Sequence, residues 1–277
     1  MKFGLDVPTT EAYADARVLA QLAAEAEAAG WDGFFIWDCL SDAALIDPWI
    51  ALTAIALQTS RIKIGLLATP LARHRPYLVA QRLANLDQLS GGRVICTVGL
   101  GDSNGAFTAF GEQENPVVRA RQLEEGLAIL HGLWTEDPFS FRGEYYQLHE
   151  VRQYPRPLQS PRIPLWVAGG WPRRAPFRRA AQWDGVSLKS INVEKKQWIT
   201  LDDFRNCLAY VQDHRPQSSA PFDVIMSGET PLDRQKGIDL VAPFQEAGAT
   251  WWVEEGLGWP LEEFRARILF GPPAIAR

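Results

Sequence analysis

Cysteine is scarce in this chain. Cys39, Cys96 and Cys207 are the only three in 277 residues, widely spaced and without a CxxC pair. Such a set excludes a disulfide framework and a thiolate zinc site, and reads as reduced thiols in a cytoplasmic protein. No apolar run is long enough to span a bilayer, and the opening MKFGLDVPTTEAYADARV holds no run of signal-peptide length. A dominant basic face is also lacking. The formal net charge is −5, which argues against nucleic acid as a partner. HExxH, GxSxG and the P-loop pattern are missing, so no metal site or motif-based hydrolase is expected. GLGDSNG, beginning at Gly99, has the spacing GxGxxxG and fails the dinucleotide fingerprint.

What is present is ordinary globular composition, 47% hydrophobic and 22% charged, enough for one sizeable core. Apolar periodicity then alternates between strand and helix along the chain. Strands are expected at Lys2–Asp6, Phe34–Trp37, Ile62–Leu67 and Arg93–Val98, then at Pro164–Val167, from Gly185, at Phe222–Met226 and at Thr250–Glu254. Helices are expected from about Glu11 to Ala29 and from Asp47-Pro48 to Gln58, the latter with Ile50, Ala54 and Leu57 facing inward. Others cover Pro76–Leu89, Pro116–Trp134, Thr200–Asp213, a run from Thr230-Pro231 interrupted by Pro243, and Leu261–Leu269. Residues 135–162 break the rhythm with a small hairpin around Arg142-Gly143-Glu144 and a proline-rich exit, an insertion expected to cover the mouth. Eight strands alternating with helices predict a single α/β domain over 1–277, a (β/α)8 barrel, with a doubly wound sheet as the competitor.

In a barrel, chemistry sits where strands end. The stretch Ile163–Val186 is the most suggestive: a buried strand, the small turn Ala168-Gly169-Gly170, and a helix start at Trp171-Pro172. Free N–H groups of Gly169, Gly170 and Trp171 beside a positive helix end predict a phosphate site, with Arg173, Arg174, Arg178 and Arg179 downstream. Other strand ends carry Asp6, Trp37-Asp38-Cys39, Leu67-Ala68, Gly99, Gly101, Asp102 and Glu254-Glu255. Small residues there leave room for a flat ligand, and Trp37, Trp171, Trp251 and Trp252 are candidate walls. His74 is the one histidine expected near the mouth. A hydrolytic barrel using Asp38, Asp102 and Glu254 is the carboxylate alternative.

Seven segments together resemble the bacterial luciferase-like flavin-dependent oxidoreductases: AEAAGWDGFFIWD, DPWIALTAIALQTSRIKIG, LANLDQLSGGRVICTVGLG, FSFRGEYYQL, PRIPLWVAGGWP, RRAAQWDGV and AGATWWVE. The resemblance implies a TIM-like barrel whose mouth holds the ring of FMN or of the deazaflavin coenzyme F-420. It implies that Leu67 and Ala68 form a strand-three bulge supporting that ring, often with a non-prolyl cis peptide. Gly99, Gly101, Gly169, Gly170 and Trp171 are then cofactor-binding candidates, and Asp38 and Cys39 catalytic candidates. Two positions depart from the pattern: Cys39 stands where related chains usually carry histidine, and Asp102 where they often carry tryptophan. A neutral thiol replaces histidine's proton chemistry poorly. The expectation is an oxidoreductase or monooxygenase acting on a small organic substrate, with a separate reductase supplying reduced FMN where FMN is the cofactor, and assembled as a homodimer. The alternative is a catalytically weakened flavin-binding protein that sequesters cofactor or serves a partner.

Overall fold

The computed structural model describes residues 1–40, 43–101, 106–192, 194–195, 197–216 and 220–273. Eight parallel strands close into a barrel: β1 (Lys2–Val7), β2 (Gly33–Ile36), β3 (Lys63–Pro70), β4 (Val94–Gly99), β5 (Leu165–Gly169), β6 (Gly185–Leu188), β7 (Asp223–Gly228) and β8 (Trp251–Glu255). They neighbour one another in chain order and β8 closes on β1, with Lys2 opposite Trp251 and Asp6 opposite Glu255. The barrel is therefore borne out over the doubly wound sheet. Outside it lie α1 (Ala16–Ala29), α2 (Pro48–Gln58), α3 (Pro76–Ser90), α4 (Pro116–Thr135), α5 (Arg174–Ala180), α6 (Leu201–His214), α7 (Arg234–Glu246) and α8 (Leu261–Phe270). Among the described residues, no helix is long and apolar enough to cross a membrane.

Strand alternation divides the core in two. Side chains pointing outward, such as Leu5, Phe34, Ile64 and Leu165, join the helices in the larger core. Inward ones form a separate plug of Phe35, Ile95, Trp166, Ile225, Trp251 and Val253. The two indoles fit because facing positions lack side chains. A Cβ at Gly185 would stand 2.5 Å from Trp166, and one at Gly33 2.9 Å from Trp251. Both indole N–H groups donate to Asp223, at 3.2 and 3.1 Å. A plug of this density closes the barrel below and leaves only the strand C-termini open to a ligand.

Several local expectations are corrected. The first helix starts at Ala16, capped by Asp15, after a separate turn at Glu11–Tyr13. On α2 the buried face is Ala51, Leu52, Ile55 and Ala56, while Ile50 and Leu57 are exposed. This helix is apolar on nearly every side, so periodicity cannot choose its inner face. The helix expected from Thr230 begins at Arg234, capped by Asp233; Thr230 instead bonds Glu254. The hairpin is Phe139–Arg142 paired with Gln147–Val151, and Tyr145 and Tyr146 belong to its turn. The Glu125 carboxylate on α4 accepts the backbone N–H groups of Glu144, Tyr145 and Tyr146. Beyond the hairpin, Asp87 at the end of α3 accepts the N–H groups of Leu158 and Gln159. The insertion thus runs along the outer wall and is tied near the entry to β4. Its contacts run along α3 and α4, with Tyr146 beside Arg75 and Gln153 donating to the Tyr77 carbonyl at the start of α3.

Glu27 on α1 secures the turn between α2 and β3. Its carboxylate accepts the N–H groups of Ser60, Arg61 and Ile62 and the Ser60 hydroxyl, at 2.6–3.1 Å. Burial alone would raise its pKa, but these donors overcome it and pull the group down to about 2. The folded state therefore gains stability above the ordinary carboxylate value and loses it as pH falls toward 2. Glu27→Ala is expected to cost about 1–2 kcal/mol at neutral pH, the scale of charge-assisted bonds at a partly exposed site. Urea unfolding at pH 7 and pH 3 checks this; a deficit equally large at pH 3 would refute the charge-assisted origin.

Candidate active site

Strand β3 supplies one wall of the mouth. Its register against β4 shifts between Leu66 and Thr69, and the Leu67–Ala68 peptide between them is cis. The expected bulge is therefore in place. Leu67 packs on the inner plug. A Cβ on Gly99 would lie 3.6 Å from the Ala168 Cβ and 3.7 Å from the Ala68 Cβ. Three neighbouring strands thus present their smallest residues together, a flat apolar surface that suits a planar ring. Gly101 has φ +77°, and a Cβ there would come within 2.8 Å of Phe107 and Pro70. Glycine at 101 is accordingly required by the turn itself.

The Gly-Gly turn differs from the sequence expectation. The Trp171–Pro172 peptide is cis, the Gly170 carbonyl accepts from Arg173 N–H, and α5 starts only at Arg174. Pro172 is therefore not the first helical residue. Gly169 lacks a side chain because Pro176 stands where its Cβ would be, at 2.5 Å. Trp171 is buried against Phe177, and Arg174 lies over the Trp171 and Tyr210 rings at 4.5 and 4.6 Å. Arg179 pairs with Glu124 at 2.7 Å. Two of the four arginines are thus engaged elsewhere. The backbone N–H groups of Gly170 and Trp171 donate to no acceptor among the described residues.

Asp38 follows β2, and its side chain is only 2% exposed. It is held by the Arg73 guanidinium on Oδ1 and by His74 Nε2 on Oδ2, the latter at 2.9 Å. A short 3-10 turn, Leu71–Arg73, delivers both partners from the end of β3. The imidazole meets the Trp49 ring edge-on. Cys39 is half-buried, with Sγ 3.8 Å from Thr9 Oγ1. Burial, opposed by the Thr9 bond and aided by the Asp38 charge, pushes its thiol pKa up. The thiol is therefore neutral at neutral pH.

Across the mouth stand Asp6 on β1 and Glu255 on β8. They are register partners, each two residues beyond an inward position, Gly4 and Val253. Burial raises the Asp6 pKa well above its ordinary value, and the Glu255 charge adds to this. Burial likewise raises Glu255, against the pull of Ser190 and Lys189. Glu254, named in the hydrolytic reading, points the other way. It is fully buried in a bond with Arg267 at 3.3 Å, joined by Thr230 and Trp252. That position is structural. Strict alternation from Trp251 would have selected Glu255. Of the tryptophan walls, Trp251 fills the plug, Trp252 packs on Phe244, and only Trp37 remains half-buried at the mouth. Asp102 lies outside the described residues.

A family model described as luciferase-like monooxygenase matches residues 1–224. The chain belongs to that family. An F420-dependent glucose-6-phosphate dehydrogenase of Amycolatopsis mediterranei is 36% identical over 130 residues, 45% of this chain and 38% of that protein. An FMNH(2)-dependent dimethylsulfone monooxygenase of Pseudomonas putida is 35% identical over 156 residues, 55% of this chain and 41% of that protein. The matched region spans less than half the length of either curated relative. The coenzyme F420-dependent tetrahydromethanopterin reductase of Methanopyrus kandleri superposes with TM-score 0.77 over 97% of both chains, at 18% identity. That likeness shows a shared fold.

The raised carboxyls carry a sign for stability. The folded chain holds protons that the unfolded chain has released, so stability falls as pH rises from the ordinary carboxyl range through the raised values. Glu255→Gln removes one of the two groups and relieves the other. The variant is expected to lose less thermal stability between pH 5 and pH 8 than the parent. Equal slopes in calorimetric melting would refute this.

Proposed function

We propose that the chain is a flavin- or deazaflavin-dependent oxidoreductase or monooxygenase acting on a small organic substrate. The observation that carries this reading is the β3 bulge with its cis peptide beside the small-residue surface of Ala68, Gly99 and Ala168. FMN or F-420 would be held there by Leu67, Ala68, Gly99 and Gly101. The N–H groups at Gly170 and Trp171, next to Gly169 and without an acceptor among the described residues, would hold its phosphate. The names of the two curated relatives support both cofactor chemistries.

When bound, the cofactor supplies a hydride acceptor or, in reduced form, the electrons for oxygen activation; reduced FMN would then come from a separate reductase. The chain's own residues position and protonate. Asp38 holds His74 through Nε2, which leaves Nδ1 with its lone pair whenever the ring is neutral. Cys39 adds a neutral thiol beside Asp38. That neutrality also favours a second reading, a cofactor-binding protein with weakened chemistry, and single-turnover oxidation of bound reduced cofactor separates the two. Free thiols at all three cysteines suit a cytoplasmic setting. A homodimer is the assembly we favour, with exposed Ile50 and Leu57 of α2 and Leu78 and Leu89 of α3 as its apolar contacts.

Titration with FMN and with F-420, followed by ring fluorescence, is expected to give saturable binding to one of them. Gly170→Asp puts a carboxylate into the phosphate position and should weaken binding at least tenfold with circular dichroism unchanged. Cys39→Ala should change affinity by roughly 1 kcal/mol or less, the worth of one neutral hydrogen bond. A folded Gly170→Asp variant with parental affinity would overturn the phosphate assignment.

A further inference from the structure

We propose that Asp6 and Glu255 form the substrate-recognising acid pair of this mouth, with Asp6 Oδ1 hydrogen-bonding an uncharged oxygen of the substrate, alcohol or carbonyl. The proposal deepens the oxidoreductase reading above and rests on it for the identity of the ligand. It starts from position. Parallel register sets Asp6 beside Glu255, and both continue the inward series of their strands. In the closed strand order, β1 and β8 lie diametrically opposite β5 and β4. The pair therefore faces the Gly99–Ala168 surface across the opening, where a substrate laid over a planar ring presents its polar end.

The second observation is an orphaned atom. Asp6 Oδ1 is buried and has no hydrogen-bond partner among the described residues. Buried polar atoms are rarely left so, and a ligand is one way to complete them. Trp37, just after β2, lowers the Asp6 pKa against burial and the Glu255 charge. Around Glu255 stand the Ser190 hydroxyl and Lys189 ammonium beyond β6, Glu229 beyond β7, and Glu254 on its own strand. Lys189 and Ser190 stabilise charge on Glu255, whereas among the described residues the shift of Asp6 comes from burial and Glu255, opposed by Trp37. Two neighbouring buried carboxyls resist double ionisation, and burial together with the Glu255 charge favours the protonated form of Asp6. A protonated Asp6 would offer an O–H donor to a ligand from its buried Oδ1. Its natural complement is a neutral oxygen acceptor, since an ammonium group would have to expel the proton first.

The test uses the full chain and three neutral probes, isopropanol, cyclohexanol and cyclohexanone, with cyclohexylamine as the cationic control. Binding is read by saturation-transfer NMR between pH 5 and pH 9, and carboxyl protonation by infrared difference spectroscopy. At neutral pH the parent should show a protonated-carboxyl band that Asp6→Asn abolishes. At least one neutral probe should bind, weakening tenfold or more as that band titrates away. Asp6→Asn, which keeps a donor and an acceptor, should bind it without pH dependence, and Asp6→Leu should lose it. A missing band, pH-independent binding by the parent, preference for cyclohexylamine, or failure of all three neutral probes would overturn the proposal. FMN and F-420 titrations on the same samples keep the two readings apart. Cofactor binding without the pH signature defeats the acid pair alone, and the signature without cofactor binding defeats the oxidoreductase reading alone.

Discussion

The bore of the barrel governs everything above it. Eight strands enclose only enough space for side chains, and here two indoles, a phenyl ring and three aliphatic residues occupy that space. The Asp223 carboxylate pins both indoles from one side, and the missing side chains of Gly33 and Gly185 admit them from the other. With the interior closed, a ligand can enter only at the strand C-termini. Below the mouth the inward series carries Asp223, bonded to both indoles, while Asp6, Trp37 and Glu255 stand in the last layer at the mouth.

That constraint also explains why the mouth is chemically lopsided. One side, formed by β3, β4 and β5, is reduced to alanine and glycine and carries the bulge. The other side, formed by β8 and β1 with Trp37 at the end of the neighbouring β2, carries carboxyls and an indole. Asp38, Arg73 and His74 lie between, tying the end of β2 to the turn after β3. A planar ligand is matched to the first side by shape, and a small polar molecule to the second by hydrogen bonding.

Much of this was legible in the sequence, for identifiable reasons. Strands buried on both faces give unbroken apolar runs, and caps such as Asp47-Pro48 and Thr200 mark helix starts without tertiary help. The bulge at Leu67-Ala68 was located through family resemblance rather than through residue chemistry. What failed was orientation. Nothing local in the uniformly apolar α2 says which side is inward. The turn after β5 contains the glycine and proline of a helix start, but Pro176 packing on Gly169 and the Gly170–Arg173 bond delay that start. Glu254 and Glu255 are chemically identical neighbours, and only strand parity, fixed by the position of Trp251, separates a structural ion pair from a mouth carboxyl. His74 meets Asp38 through a turn of three residues whose direction no periodicity records.

The strap of residues 139–162 has a consequence for how such a chain changes over time. Phe139 lies directly on the α4 backbone at Gly132, Glu125 grips the tip through three amides, and Asp87 moors the returning segment at Leu158. Each anchorage is to the outer shell. The excursion can therefore drift in sequence, lengthen at its tip or acquire a neighbour of its own while the geometry of the opening is inherited unaltered. It is a piece of the protein free to diverge separately from its chemistry.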